Sequence, residues 1–81
     1  MDIVNFAQQL KEIVKDVACL DLTDLDESYM SLSDFHGVIE VMNERIQELY
    51  YDGYSGEVDY YVDKMIEVFQ LLKRFNDTYG L

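Results

Sequence analysis

SGEVDYYVDKMIEVFQLLKRFNDT, residues 55–78, decides the fold class. Within it Val58, Tyr61, Val62, Met65, Ile66, Phe69, Leu72 and Phe75 recur at steps of three and four, the spacing that lines side chains along one side of an α-helix. No alternation of period two interrupts them, so the stretch predicts a long helix and excludes a strand. Ser55 is the expected N-cap, Glu57 lies where the helix dipole favours an acid, and Gly80 stands where a C-terminal cap belongs. Tyr60, Lys64, Leu71 and Phe75 widen the apolar arc beyond a single core face, which suits a helix at the centre of a bundle or one that also makes a homodimer contact.

Upstream, Asp52-Gly53-Tyr54-Ser55-Gly56 breaks the pattern with two glycines and turn formers. Before it, Phe35, Val38, Ile39, Met42, Ile46 and Leu49 predict a second helix from about Asp34 to Tyr50 or Tyr51, capped by Ser31 or Ser33. Gly37 in its first turns costs about 1 kcal/mol relative to Ala. A third pattern, Ile3, Phe6, Ala7, Leu10, Ile13, Val14 and Val17, predicts an amphipathic helix from Asp2 to about Ala18. The connector Cys19–Ser33 is less regular. Its leucines Leu20, Leu22 and Leu25 suit a plug at one end of a bundle, and Thr23 with Asp26 could cap a short fourth helix within 23–32. The expected architecture is an all-α, three-helix bundle, with or without that short helix, in one domain spanning residues 1–81.

Composition narrows the function classes. The 81 residues include 17 Asp and Glu against 6 Lys and Arg, for a net charge of −11, yet 49% are hydrophobic, too many for a disordered chain. Phosphate backbones and anionic membranes repel such a charge, so the expected partner is a basic protein, not nucleic acid or lipid. One cysteine forms no internal disulfide, and no signal-peptide pattern or membrane-length apolar run occurs, so a cytoplasmic setting is expected.

Motifs for catalysis, metals and cofactors are missing. A calcium loop begun at Asp24 puts Tyr29 where glycine is required and Phe35 where the bidentate glutamate belongs. His36 and Cys19 are the only residues of their types, too few for a zinc site; Cys19 reads as a small buried hydrophobe and His36 as a surface residue in a first helical turn. No phosphate loop accompanies Gly53 and Gly56. The expectation is a non-enzyme without cofactor or metal. Length, acidity and Ser31-Leu32 ahead of an acidic helix resemble acyl carrier proteins, whose modified serine follows an aspartate; Met30 stands at that place here.

What remains is surface. Glu40, Glu44 and Glu48 lie four residues apart along the second helix, opposite its apolar stripe, and Asp59, Asp63 and Glu67 repeat the spacing on the third, flanking its core stripe. Like charges at this spacing disfavour a helix by about 0.2–0.5 kcal/mol per pair. Each ladder places a carboxylate about every 6 Å, so two ladders side by side would give one charge per about 3 Å, near the 3.4 Å of a single nucleic-acid strand. Five of the seven tyrosines, Tyr50, Tyr51, Tyr54, Tyr60 and Tyr61, crowd the turn between the last two helices beside Asp52, Glu57 and Asp59. Tyrosine is enriched at binding hot spots. The expected site is therefore Glu40, Glu44, Glu48, Asp59, Asp63 and Glu67 as phosphate-like charge, with Tyr50, Tyr51, Asp52 and Tyr54 as the anchor.

In kind this resembles phage-encoded DNA mimics, including anti-CRISPR proteins, which implies an inhibitor acting in a bacterial cytoplasm on a nucleic-acid-binding enzyme or complex. The Tyr pair ending a helix in Leu49-Tyr50-Tyr51 also resembles nuclease-colicin immunity proteins, although Asp52 stands where those have a proline. That resemblance implies an immunity protein or antitoxin against a nuclease. A non-inhibitory scaffold or carrier-like subunit is the third reading.

Overall fold

A computed structural model of the chain describes residues 3–17, 20–22 and 25–79. Three α-helices account for most of them: α1 (Ile3–Val14), α2 (Leu32–Tyr51) and α3 (Ser55–Tyr79). Among the described residues there is no strand. The chain is a three-helix bundle.

Helix α3 packs against both α2 and α1, whereas α1 and α2 do not approach one another closely. The breadth of the apolar arc on α3 has this central position as its cause: Tyr61, Val68, Leu71 and Phe75 are buried, and half-buried Val58, Met65 and Leu72 pack against the same core and widen the covered arc to about 140°. At 25 residues α3 extends about 37 Å, nearly the 40 Å length of the molecule. Helix α1 has 12 residues and covers about half that length. Phe6 meets Phe75 edge-on with ring centroids 5.4 Å apart, and Arg74 Nη2 donates to Gln9 Oε1 at 3.3 Å. Gln9, Glu12 and Ile13 then flank Glu67, Gln70 and Arg74, so α1 lies along the C-terminal half of α3. The other half of α3 and the end of α2 project beyond it as a two-helix hairpin.

Phe75 joins all three helices, because its ring also lies 5.3 Å from that of Phe35 on α2. Around it Phe6, Ala7, Leu10, Val14 and Val17 from the α1 side, and Phe35, Val38, Met42 and Leu49 from α2, form one buried cluster. Helix α2 begins at Ser31, whose extended backbone and N–H, accepted by Asp34 Oδ2 at 2.8 Å, make the reciprocal half of a capping box.

Several expectations are corrected. The described part of the connector forms turns and no fourth helix: Leu25 N–H bonds to Leu22 O, Tyr29 N–H to Asp26 O, and Asp26 Oδ1 accepts from both the N–H and hydroxyl of Ser28. Side-chain acceptance of this kind offers the backbone an alternative to a helix. Met30 is buried beneath the connector, Leu20, Leu22 and Leu25 pack against the core as expected, and Lys11 Nζ to Glu27 Oε1 at 2.8 Å ties the segment to α1. Ser55 is the first helical residue and not the cap, since Tyr54 O already accepts the first helical bond from Val58 N–H. Helix α1 ends at Val14, earlier than Ala18, though Val17 remains buried. Val62, Ile66 and Phe69, which share the helical spacing of the core residues, are exposed, because they lie on a side of α3 that no other element covers. The expectations for Cys19, Thr23 and Gly80 fall outside the described residues.

Candidate protein-binding surface

The projecting hairpin is built around a left-handed glycine. After α2, Gly53 adopts φ 82°, a conformation costly for residues with a Cβ. Gly53 N–H then bonds to Tyr50 O at 3.2 Å and Tyr54 N–H reaches back to Leu49 O at 3.0 Å. These are the two hydrogen bonds of a Schellman motif, and they close the last carbonyls of α2 while reversing the chain into α3.

This geometry turns the tyrosines outward. Tyr50, Tyr51 and Tyr54 are 73%, 84% and 56% exposed, so they do not form a packed end cap. The rings of Tyr50 and Tyr51 meet edge-on at 6.0 Å, which orders them as a pair. Tyr61 is buried, as its place on the core stripe predicts, and its edge supports the more exposed Tyr60 at 5.5 Å. Lys64 Nζ lies 5.7 Å from the Tyr60 ring centre, on the solvent-facing shoulder of α3. Between Ile46 and Asp63 the chain carries five acids, Glu48, Asp52, Glu57, Asp59 and Asp63, and no Lys or Arg. Asp52, Glu57 and Asp59 are exposed around the tyrosines.

All six ladder residues are exposed. Glu40, Glu44 and Glu48 lie on the side of α2 roughly opposite Phe35, Val38, Met42 and Leu49, which it buries toward α3. Asp59, Asp63 and Glu67 lie roughly opposite the residues that α3 turns toward α2. The ladders therefore occupy opposite outer flanks of the hairpin, about 20 Å apart across two packed helices. The side-by-side row of one charge per 3 Å is not formed. Tyr50, Tyr51, Asp52 and Tyr54 share the turn at the tip, Asp59 lies one turn into α3 on its outer flank, and Glu40 and Glu67 are well removed along the helices.

Three ladder acids also have partners that a search for acids alone passes over. Glu48 Oε2 accepts from Arg45 Nη1 at 3.0 Å, Glu67 Oε2 lies 3.7 Å from Lys64 Nζ, and Glu40 Oε2 lies 3.3 Å from His36 Nε2. Each pair is one turn apart, so the signal was present as base and acid at steps of three or four. The hydrogen bond to Glu48, then one with Tyr61, raises the Arg45 pKa above its ordinary value. No ion pair forms to Glu44, Asp59 or Asp63 among the described residues, and all three are exposed.

Among the described residues no group of three or more His, Cys, Asp or Glu side chains could hold a metal ion, and no helix is long and apolar enough to cross a membrane. No family model, curated protein or solved structure matches the chain.

Proposed function

We propose that this chain is a small acidic inhibitor that docks its α2–α3 hairpin onto a basic, nucleic-acid-handling protein and covers the nucleic-acid site. The observation that carries the reading is the hairpin end: three exposed tyrosines on a rigid turn, within a stretch of five acids and no base. Aromatic contact area beside an excess of acid, of which only Glu48 is paired, suits an anchor that electrostatics steers into a basic groove. The ladders serve this reading in a changed form. A rod with one row of charge on each outer flank corresponds to a duplex more than to a single strand. Its total is one carboxylate per about 3 Å against one charge per about 1.7 Å in a duplex, and the pairs at Glu40, Glu48 and Glu67 lower its net charge further.

Affinity capture from a bacterial lysate with the full chain, followed by titration of the captured protein at increasing NaCl, tests the proposal. Affinity should fall steeply with salt, and Tyr51→Ala should cost more than about 1 kcal/mol of binding. Glu44→Lys and Asp63→Lys reverse one flank each, and the two together should abolish binding. Affinity that is constant from low to high salt refutes the mimic.

A second reading, an immunity protein or antitoxin for a nuclease, is favoured by one observation, the ordered and exposed Tyr50–Tyr51 pair at the end of α2. It predicts that the captured partner is a nuclease whose toxicity is suppressed by co-expression of this chain.

A further inference from the structure

On the side of α3 turned away from α1, Asp59, Val62, Ile66, Phe69 and Lys73 follow one another at steps of three, four, three and four. That is the a/d spacing of a coiled-coil seam. All five are exposed, and Val62, Ile66 and Phe69 are 38%, 49% and 47% exposed. Beside them Leu32 of α2 forms a shallow groove with Phe69, Leu72, Lys73 and Asn76. An apolar stripe with a groove at one end, on a chain otherwise dominated by acids, is a surface that association would cover.

The charges at its ends identify the occupant. The seam starts with an acid, Asp59, and finishes with a base, Lys73. Two copies laid parallel would set Asp59 against Asp59 and Lys73 against Lys73. Laid antiparallel, with Ile66 of each against Phe69 of the other, Lys73 comes level with Val62 of the second copy. It is then about 4.5 Å along the axis from that copy's Asp59, within reach of its long side chain. The same register seats Ile66 and Val62 of the second copy in the groove beside Leu32. We propose that the chain self-associates as an antiparallel dimer through this seam, with Asp59 and Lys73 setting the direction. The seam borders the α3 ladder and shares Asp59 with it, and the proposal stands without any partner for the hairpin tip.

Because each copy has a net charge of −11, long-range repulsion opposes the dimer and salt relieves it. The dimer therefore strengthens with salt, opposite in sign to docking on a basic protein. Sedimentation equilibrium of the full chain should show the dimer dissociation constant falling at least about tenfold between 50 and 500 mM NaCl. Ile66→Asp should give a monomer with an unchanged circular dichroism spectrum, since Ile66 is half-exposed. Lys73→Asp should weaken the dimer more than Lys15→Asp, which alters net charge equally in the turn that follows α1. Adding Asp59→Lys to Lys73→Asp should restore the dimer, because the end charges are exchanged in both copies and the wild-type net charge returns. A chain that stays monomeric at millimolar concentration in 500 mM NaCl overturns the proposal, as does a dimer indifferent to Ile66→Asp. A double variant no better than Lys73→Asp overturns the antiparallel arrangement.

Discussion

Replacing Phe75 by alanine tests the central position of α3 more directly than any other single change. The Phe75 side chain is 3% exposed, and its ring contacts Phe6 of α1, Phe35 of α2 and Tyr79 of its own helix at centroid distances of 5.4, 5.3 and 4.9 Å. Burying a phenylalanine side chain stabilises by about 1.5–3 kcal/mol, and the cavity left on truncation brings the usual cost of Phe→Ala to about 3–5 kcal/mol. A chain of 81 residues is stable by about 4–12 kcal/mol, so the loss is a large fraction of the whole. At about 4–8 °C per kcal/mol, the midpoint of thermal unfolding should drop by at least about 12 °C. The damage should also be unequal in space. Helix α1 is held only by α3 and the connector, so hydrogen exchange should accelerate first in α1 amides and least in the α2–α3 hairpin. Phe69→Ala, six residues earlier on the same helix, removes a ring that is nearly half exposed and should cost only about 1 kcal/mol, measured at low salt and low concentration where the chain is monomeric. Thermal and urea melts of both variants decide the matter. A Phe75→Ala protein within about 1 kcal/mol of the wild type, or a Phe69→Ala protein equally damaged, would refute the assignment of Phe75 to the core and Phe69 to the surface.

Two further predictions concern the turn and the connector. At Gly53 nothing lies within 4 Å of an added Cβ, so Gly53→Ala should cost only the left-handed backbone term, about 1–2 kcal/mol in urea unfolding, and Gly53→Asn less; a neutral Gly53→Ala would contradict the turn geometry. Glu27 has its pKa held below the ordinary 4.5 by the hydrogen bond from Lys11 and then by that ammonium's charge. A carboxylate with a lowered folded pKa contributes stability that is fully present above its unfolded value and is lost as the pH falls through its folded value. Glu27→Gln should therefore be less stable than the wild type at pH 7, with the difference closing on acidification below about pH 4. A difference that is constant from pH 7 to pH 3 would show that the Lys11–Glu27 contact has no part in holding the connector to α1.

The helices were legible because their evidence is local. Steps of three and four in Ile3–Val17, Phe35–Leu49 and Val58–Phe75 mark a period of 3.6 whatever the neighbours are, and Gly53 marks the turn because few other residues accept its conformation. Local signals faltered where two patterns overlapped. Asp26 and Ser28 read as part of a short helix, yet their side chains bond the backbone in a turn. Ser55 has the chemistry of a cap, but Tyr54 O takes the first helical bond, from Val58 N–H, so the capping position falls on Tyr54. The tyrosines at the hairpin tip could equally have packed there. Their exposure is a tertiary outcome: α1 packs on α3 and does not approach α2, so no element covers the end of α2.

Residue order alone thus determined the three helices, the turn between the last two, the excess of acid and its alignment into ladders, because each depends on residues within a few positions of one another. Tertiary structure alone decided which faces those features occupy. On α3 the apolar residues extend well beyond one stripe, and helical spacing cannot distinguish Phe75, enclosed by two neighbouring helices, from Phe69, which has solvent on one side. Likewise each acid ladder is visible in the chain, but that the two lie on opposite flanks follows only from how α2 and α3 turn their buried stripes toward one another. Periodicity records the angle of a side chain about its own helix axis; the position of the next helix depends on packing between residues far apart in the chain.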